Sequence, residues 1–217
     1  MVIVGSILLA LALDAWWDGV QEREEEHQAL EALAGDFTAA ADGIGHTLLT
    51  IDSMSVAINV VLGWTGPAAD SRNADSLALL LPTITRLPGF RPPLGTLEAL
   101  LGSGNLRLIQ NETLRAALAS FPSRLAGMQR TEDFGAQGQF GDFLPYLNRS
   151  IPMRRFGRAG DDLTRFESDV SGLLRSLEFE NQLQGRLTNV TYLEEAARNM
   201  WELISSIREM LEAELRM

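Results

Sequence analysis

From Leu30 onward the apolar positions of this chain fall on a seven-residue repeat, with Leu30, Phe37, Ile44, Ile51 and Ile58 at one position and Leu33, Ala40, Thr47, Met54 and Val61 three residues later. Steps of three and four residues return side chains to one face of an α-helix, so this spacing predicts a long helix over about 18–63 with a single packing seam. Gly35, Gly43 and Gly45 each weaken such a helix by up to about 1 kcal/mol relative to alanine, so packing has to hold its middle together. Upstream the pattern changes: Met1 to Leu13 is an uncharged apolar run that stops at Asp14 and passes through Trp16 and Trp17 into Glu22, Glu24, Glu25 and Glu26. A hydrocarbon core of about 30 Å needs about 20 helical residues at about 1.5 Å each, and with Ala15 and the two tryptophans this run reaches roughly 17, the lower limit for a span.

Residues 1–17 therefore read as a transmembrane anchor, with Trp16 and Trp17 at the bilayer interface, where amphipathic indole rings settle. We expect the anchor to run into the long helix without a linker, and the stretch from Ala15 to Trp64 would then extend roughly 75 Å at 1.5 Å per residue. No basic residue precedes the run, so either the true start lies upstream or the orientation is weakly encoded. Two other readings fit the same residues. Ala10, Leu11 and Ala12 resemble a signal-peptide cleavage site after an apolar core, and a run of this length also suits a buried helix of a soluble protein.

The middle third is broken by glycine and proline. Gly63 to Pro67 is a breaker cluster, and Ser71 to Leu81 predicts a short helix ended by Pro82. After Pro88 to Pro93, Thr96 is the expected N-cap of a helix carrying Leu97, Leu100 and Leu101, which stops at Gly102, Ser103 and Gly104. Asn111 to Thr113 opens another, carrying Leu114, Ala117, Leu118 and Phe121 before Pro122. A glycine-dotted segment from Gly135 to Gly141 and a turn near Pro145 to Pro152 complete the short-helix region, about 70–150. Asp161 and Asp162 then cap a long closing helix, about 161–216, with Leu163, Phe166, Val170, Leu173 and Leu177 on its first face. Val190, Leu193, Ala197, Met200, Ile204, Ile207 and Leu211 follow, after a shift of spacing at Asn181, Gln184 and Leu187 that signals a change of neighbours or a local break. No stretch shows sustained period-two alternation. The predicted fold is all-α: an anchor, then a bundle over 18–217 in which two long antiparallel helices are closed by short ones.

Composition narrows the function classes. A chain of 217 residues suffices for one domain plus an anchor. With a net charge of −11 it repels nucleic acid, so no nucleic-acid partner is expected. It has no cysteine, which removes disulfides and thiolate chemistry, and no lysine, which we attribute to genome composition. His27 and His46 have no partner set for a metal site, although Asp42 lies one turn before His46. No Gly-x-Ser-x-Gly nucleophile turn occurs, and Gly102 to Asn105 lacks the lysine of a phosphate loop and reads as a turn. The acidic run Glu22 to Glu26 is expected to be a solvated face, and Arg154, Arg155 and Arg158 to pair with acidic helices of the chain rather than with lipid phosphates. Asn111, Asn148 and Asn189 sit in glycosylation-type triplets that arise by chance. No catalytic, metal or cofactor-binding residue is assigned.

Three stretches resemble a bacterial family of single-pass membrane proteins known as a domain of unknown function. Ile7 to Trp16 resembles its membrane segment, Leu97 to Leu118 its central pair of short helices joined through Ser-Gly, and Phe179 to Arg186 the start of its last helix. The resemblance implies an N-terminal anchor in the bacterial inner membrane, with a mostly helical domain on the periplasmic side, and implies no activity. The expected function is that of a non-enzymatic interaction or structural component of the envelope, contacting the bilayer through its first helix and either a second copy or another envelope protein through its seams. The alternative is a ligand-sensing bundle acting through a separate signalling partner, with Trp64, Phe90, Phe134, Phe140 and Tyr146 lining a pocket. A third reading, a hydrolase built on Asp161, Asp162 and Glu167, is weaker because adjacent acids at a helix start are ordinary caps.

Overall fold

A computed structural model describes residues 2–70, 73–156, 166 and 169–216; for residues 2–12, 14, 15, 18, 74, 75, 155 and 156 it describes the backbone alone. Among the described residues every regular element is helical and no strand occurs, as the sequence predicts. The main helices are α1 (Val2–Leu62), α2 (Ala74–Ile84), α3 (Gly95–Ser103), α4 (Glu112–Gly138), α5 (Leu144–Ser150), α6 (Val170–Leu174) and α7 (Leu177–Glu214). They form two compact units, the first comprising Met1–Gly43, Arg91–Ser123 and Trp201–Met217, the second Ile44–Phe90 and Arg124–Met200. The first unit joins the early part of α1 to the end of α7, and the second joins the late part of α1 to the start of α7, so within each unit these helices run antiparallel.

α1 is continuous from Val2 to Leu62, through its glycines and without a linker after the tryptophans. All ten predicted seam positions, from Leu30 to Val61, are buried. Burying a leucine, isoleucine or phenylalanine contributes about 1.5–3 kcal/mol, so this stripe outweighs the glycine penalties by a wide margin. In the first unit Phe37 meets Phe121 edge-on, with ring centroids 5.1 Å apart. There the Glu26 carboxylate accepts the Gln110 backbone N–H at 2.7 Å, and Asn111 donates to Glu214 at 2.6 Å. In the second unit the Gly66 N–H donates to the Leu174 carbonyl at 3.0 Å, from a backbone with φ of 131° that favours glycine. The Thr65 hydroxyl donates to Glu180 at 2.8 Å, and Tyr146 stacks on Phe179 with centroids 6.3 Å apart.

Several predicted ends are overturned. Pro82 does not end its helix: α2 runs on to Ile84, because Leu77, Leu81 and Ile84 are buried on a continuing helical face while Pro82 faces solvent. Pro122 likewise sits inside α4, which continues to Gly138. Its missing N–H costs about 3 kcal/mol, but Leu114, Leu118, Phe121 and Met128 are buried along one unbroken face, and Ser120 and Ser123 donate to the Ala117 and Ser120 carbonyls beside it. The glycine-dotted segment is the end of α4 and a single π-turn, Gln139–Phe143, that leads directly into α5. Thr96 is not the N-cap of α3; the helix starts at Gly95, and its Thr96 N–H is capped by the Asp36 carboxylate at 2.8 Å, from α1. Asn111 does cap α4, accepting the Leu114 N–H at 3.0 Å. Gly104 ends α3 with φ of 74°, the left-handed conformation expected of that turn. The closing helix begins at Leu177, after the separate α6; Leu177 and Phe166 are exposed, and Asp161, Asp162 and Leu163 lie outside the described residues.

Candidate functional site

α7 buries Phe179, Leu183, Arg186, Val190, Leu193, Ala197, Met200, Ile204, Ile207 and Leu211, an uninterrupted alternation of steps of four and three. The shift of spacing seen in the sequence has a simple cause: a seam position is filled by arginine. Among the described residues the buried polar or charged side chains are Thr47, Glu132, Gln139 and Arg186, all four in the second unit and all at seam positions of α1, α4 and α7 or of the π-turn that continues α4. Each of them binds the backbone between Ile84 and Phe90. Arg186 donates from Nε to the Ile84 carbonyl at 3.2 Å and from Nη2 to the Arg86 carbonyl. The Gln139 amide donates to the Thr85 carbonyl, and the Thr47 hydroxyl to the Gly89 carbonyl at 3.4 Å. Glu132 accepts the Phe90 N–H at 2.9 Å.

The physical need is plain. A non-helical connector packed among helices carries N–H and C=O groups that neither water nor a helix satisfies, and leaving one of them buried and unpaired costs about 1–3 kcal/mol. Seam residues of α1, α4, the π-turn and α7 supply the partners, which accounts for the hydrogen bonds that these buried side chains make to the connector. Burial pushes the Arg186 guanidinium down to about 10, so it still carries its charge at neutral pH. Among the described residues the guanidinium bonds through Nε and Nη2 alone, with no partner at Nη1 and no ion pair. Gln139 Oε1 is, among the described residues, the sealed side-chain polar atom without a partner.

Arg186 and Gln139 also form part of the wall of a groove of about 460 Å³ between the π-turn and the first half of α7. The two sides run antiparallel: Phe134 and Tyr192 stand at one end, a Cβ on Gly138 would approach Asn189 to 3.1 Å in the middle, and Asp142 and Glu178 lie toward the other end. Gly185 lies between, with no atom within 4 Å of where its Cβ would stand. A second groove of about 550 Å³ shares Phe134 and Tyr192 and adds Arg130, Glu195 and Asn199. Such surfaces offer hydrogen bonds, charges of both signs and an aromatic end.

The residues singled out in the sequence are scattered by comparison. Trp16 and Trp17 are both exposed, with ring centroids 6.4 Å apart. His27 faces Glu31 at 3.5 Å on the surface, and His46 is exposed. Glu22, Glu24 and Glu25 are solvated, whereas Glu26 binds the Gln110 backbone. Arg154 is exposed; the side chain of Arg155, Arg158 and Glu167 lie outside the described residues. Of the five aromatics, Phe134 lines both grooves, Phe90 and Tyr146 are buried, Phe140 is exposed and Trp64 is half-buried. The sequence reading missed Arg186, Gln139 and Glu132, and the available signal was a polar residue at the expected step of an apolar seam.

Fold and site together define an all-α bundle protein with a buried polar clamp and an open polar groove. No family model, curated protein or solved structure matches the chain.

Proposed function

We propose that this is a membrane-tethered, non-enzymatic interaction protein of the bacterial envelope, held in the inner membrane by residues 1–17 with its bundle on the periplasmic side. The observation that carries this reading is the continuity of α1, a single helix from Val2 through the exposed Trp16 and Trp17 to Leu62. By length and composition the part of α1 that qualifies as a membrane-crossing helix is Gly19–Leu62, but 39% of the qualifying window is buried in the protein, as a core stripe would be. That stripe contains Ile44, Ile51 and Ile58, so the anchor is assigned to the upstream run on its apolar sequence. Beyond the bilayer, α1 presents Leu49, Val56 and Val60 to solvent at spacings of seven and four residues, one stripe away from the buried seam. The resemblance to single-pass membrane proteins belongs to the same reading.

The test is the mass of the full-length protein in detergent, with and without cross-linker. A defined oligomer, or a stoichiometric complex with one envelope protein, is expected. A monomer that carries no partner would contradict the proposal.

A further inference from the structure

The groove beside the π-turn holds features that the bundle itself does not require. Arg186 is 5% exposed, yet among the described residues its guanidinium meets only backbone carbonyls, through Nε and Nη2, and no acceptor at Nη1 or carboxylate partner occurs. Buried charges are ordinarily paired; among the described residues no carboxylate lies within ion-pair distance of this one, and the buried Glu132, which faces the same small void, is engaged by the Phe90 N–H. The wall also contains the π-turn Gln139–Phe143, a helix distortion frequently found at functional sites. Gly185 weakens α7 although, among the described residues and apart from its own helix backbone and chain neighbours, no atom approaches within 4 Å of its missing Cβ, so close packing does not demand a glycine there. Its effect is to leave the groove floor clear.

The charges are ordered along the groove. Glu178, with Asp142 opposite, lies eight residues before Arg186 on α7, roughly 12 Å along the axis at 1.5 Å per residue. Beyond Arg186 stand Phe134 and Tyr192, 59% and 56% exposed, two aromatic faces at the groove end. A chain of two or three extended residues, at about 3.5 Å each, spans that interval once the reach of the side chains is counted.

We propose that this groove binds a short zwitterionic peptide of two or three residues, its C-terminal carboxylate at Arg186, its N-terminal ammonium at Asp142 and Glu178, and an apolar C-terminal side chain on Phe134 and Tyr192. The carboxylate supplies the missing counter-charge through charge-assisted hydrogen bonds, and the acidic end excludes simple anions. The site lies wholly in the second unit and does not depend on whether residues 1–17 cross a bilayer.

The experiment is calorimetric titration of the full-length protein in detergent with L-alanyl-L-phenylalanine, alongside its N-acetylated and C-amidated forms. Saturable binding of the free dipeptide is expected, weakened at least tenfold by either cap. Gly185→Leu, which fills the open floor with a good helix former, should abolish binding while leaving the melting temperature unchanged or higher. Asp142→Asn with Glu178→Gln, both at exposed positions, should weaken binding at least tenfold and make it insensitive to the N-terminal cap. Absence of saturable binding to the wild type at millimolar dipeptide, equal binding of the capped forms, or undiminished binding to a folded Gly185→Leu protein would each overturn the proposal.

Discussion

Arg186 joins helix, connector and groove through one side chain, and substitutions there separate these roles. Arg186→Met fills similar space but leaves the Ile84 and Arg86 carbonyls without their donor, so at about 1–3 kcal/mol for each of the two stranded groups it should lose about 2–6 kcal/mol, read as a lower urea midpoint. Arg186→Lys should recover only part of that loss, because an ammonium cannot reproduce a planar fork bonded from two nitrogens. One position earlier the sign reverses: Gly185→Ala meets no atom and should stabilise α7 by up to about 1 kcal/mol, raising the midpoint. Thr47 was legible as a seam residue because its neighbours at steps of three and four are apolar. Arg186, Gln139 and Glu132 were not, since their partners are backbone groups roughly 40–100 residues away, and hydrophobic periodicity carries no information about a connector that needs hydrogen bonds.

At the scale of the element, the long helices were readable and the proline ends were not. The α1 seam and the later α7 seam emerged with their residues in place, because apolar burial at helical steps is the strongest signal a chain carries. Pro82 and Pro122 misled because a local rule about one missing N–H was set against a face of buried side chains that continues past it. Pro122 faces solvent, so Pro122→Ala should restore the bond to the Leu118 carbonyl without loss of packing and raise the melting temperature, a gain of up to about 3 kcal/mol. Asp36 illustrates the reverse case, a cap supplied from another helix that no local pattern announces. Asp36→Ala should uncap α3 at Thr96 and lose about 1 kcal/mol, measurable in the same unfolding assay.

For the whole molecule, the all-α class and the antiparallel course of α1 and α7 were legible from two long seams flanking broken, proline-rich sequence. The polar clamp and groove exist only once helices distant in sequence lie side by side, so the site emerged from structure and the architecture from sequence. The proposed envelope role depends on the fate of the first seventeen residues, where an apolar run, two exposed tryptophans and a continuous helix coincide. Reporters fused after Met217, a phosphatase active only in the periplasm and a fluorescent protein active only in the cytoplasm, test this most directly when read in fractionated cells. Phosphatase activity retained in the membrane fraction is the predicted result. Fluorescence in the soluble fraction would make Met1 to Leu13 a core helix and contradict the tethered reading.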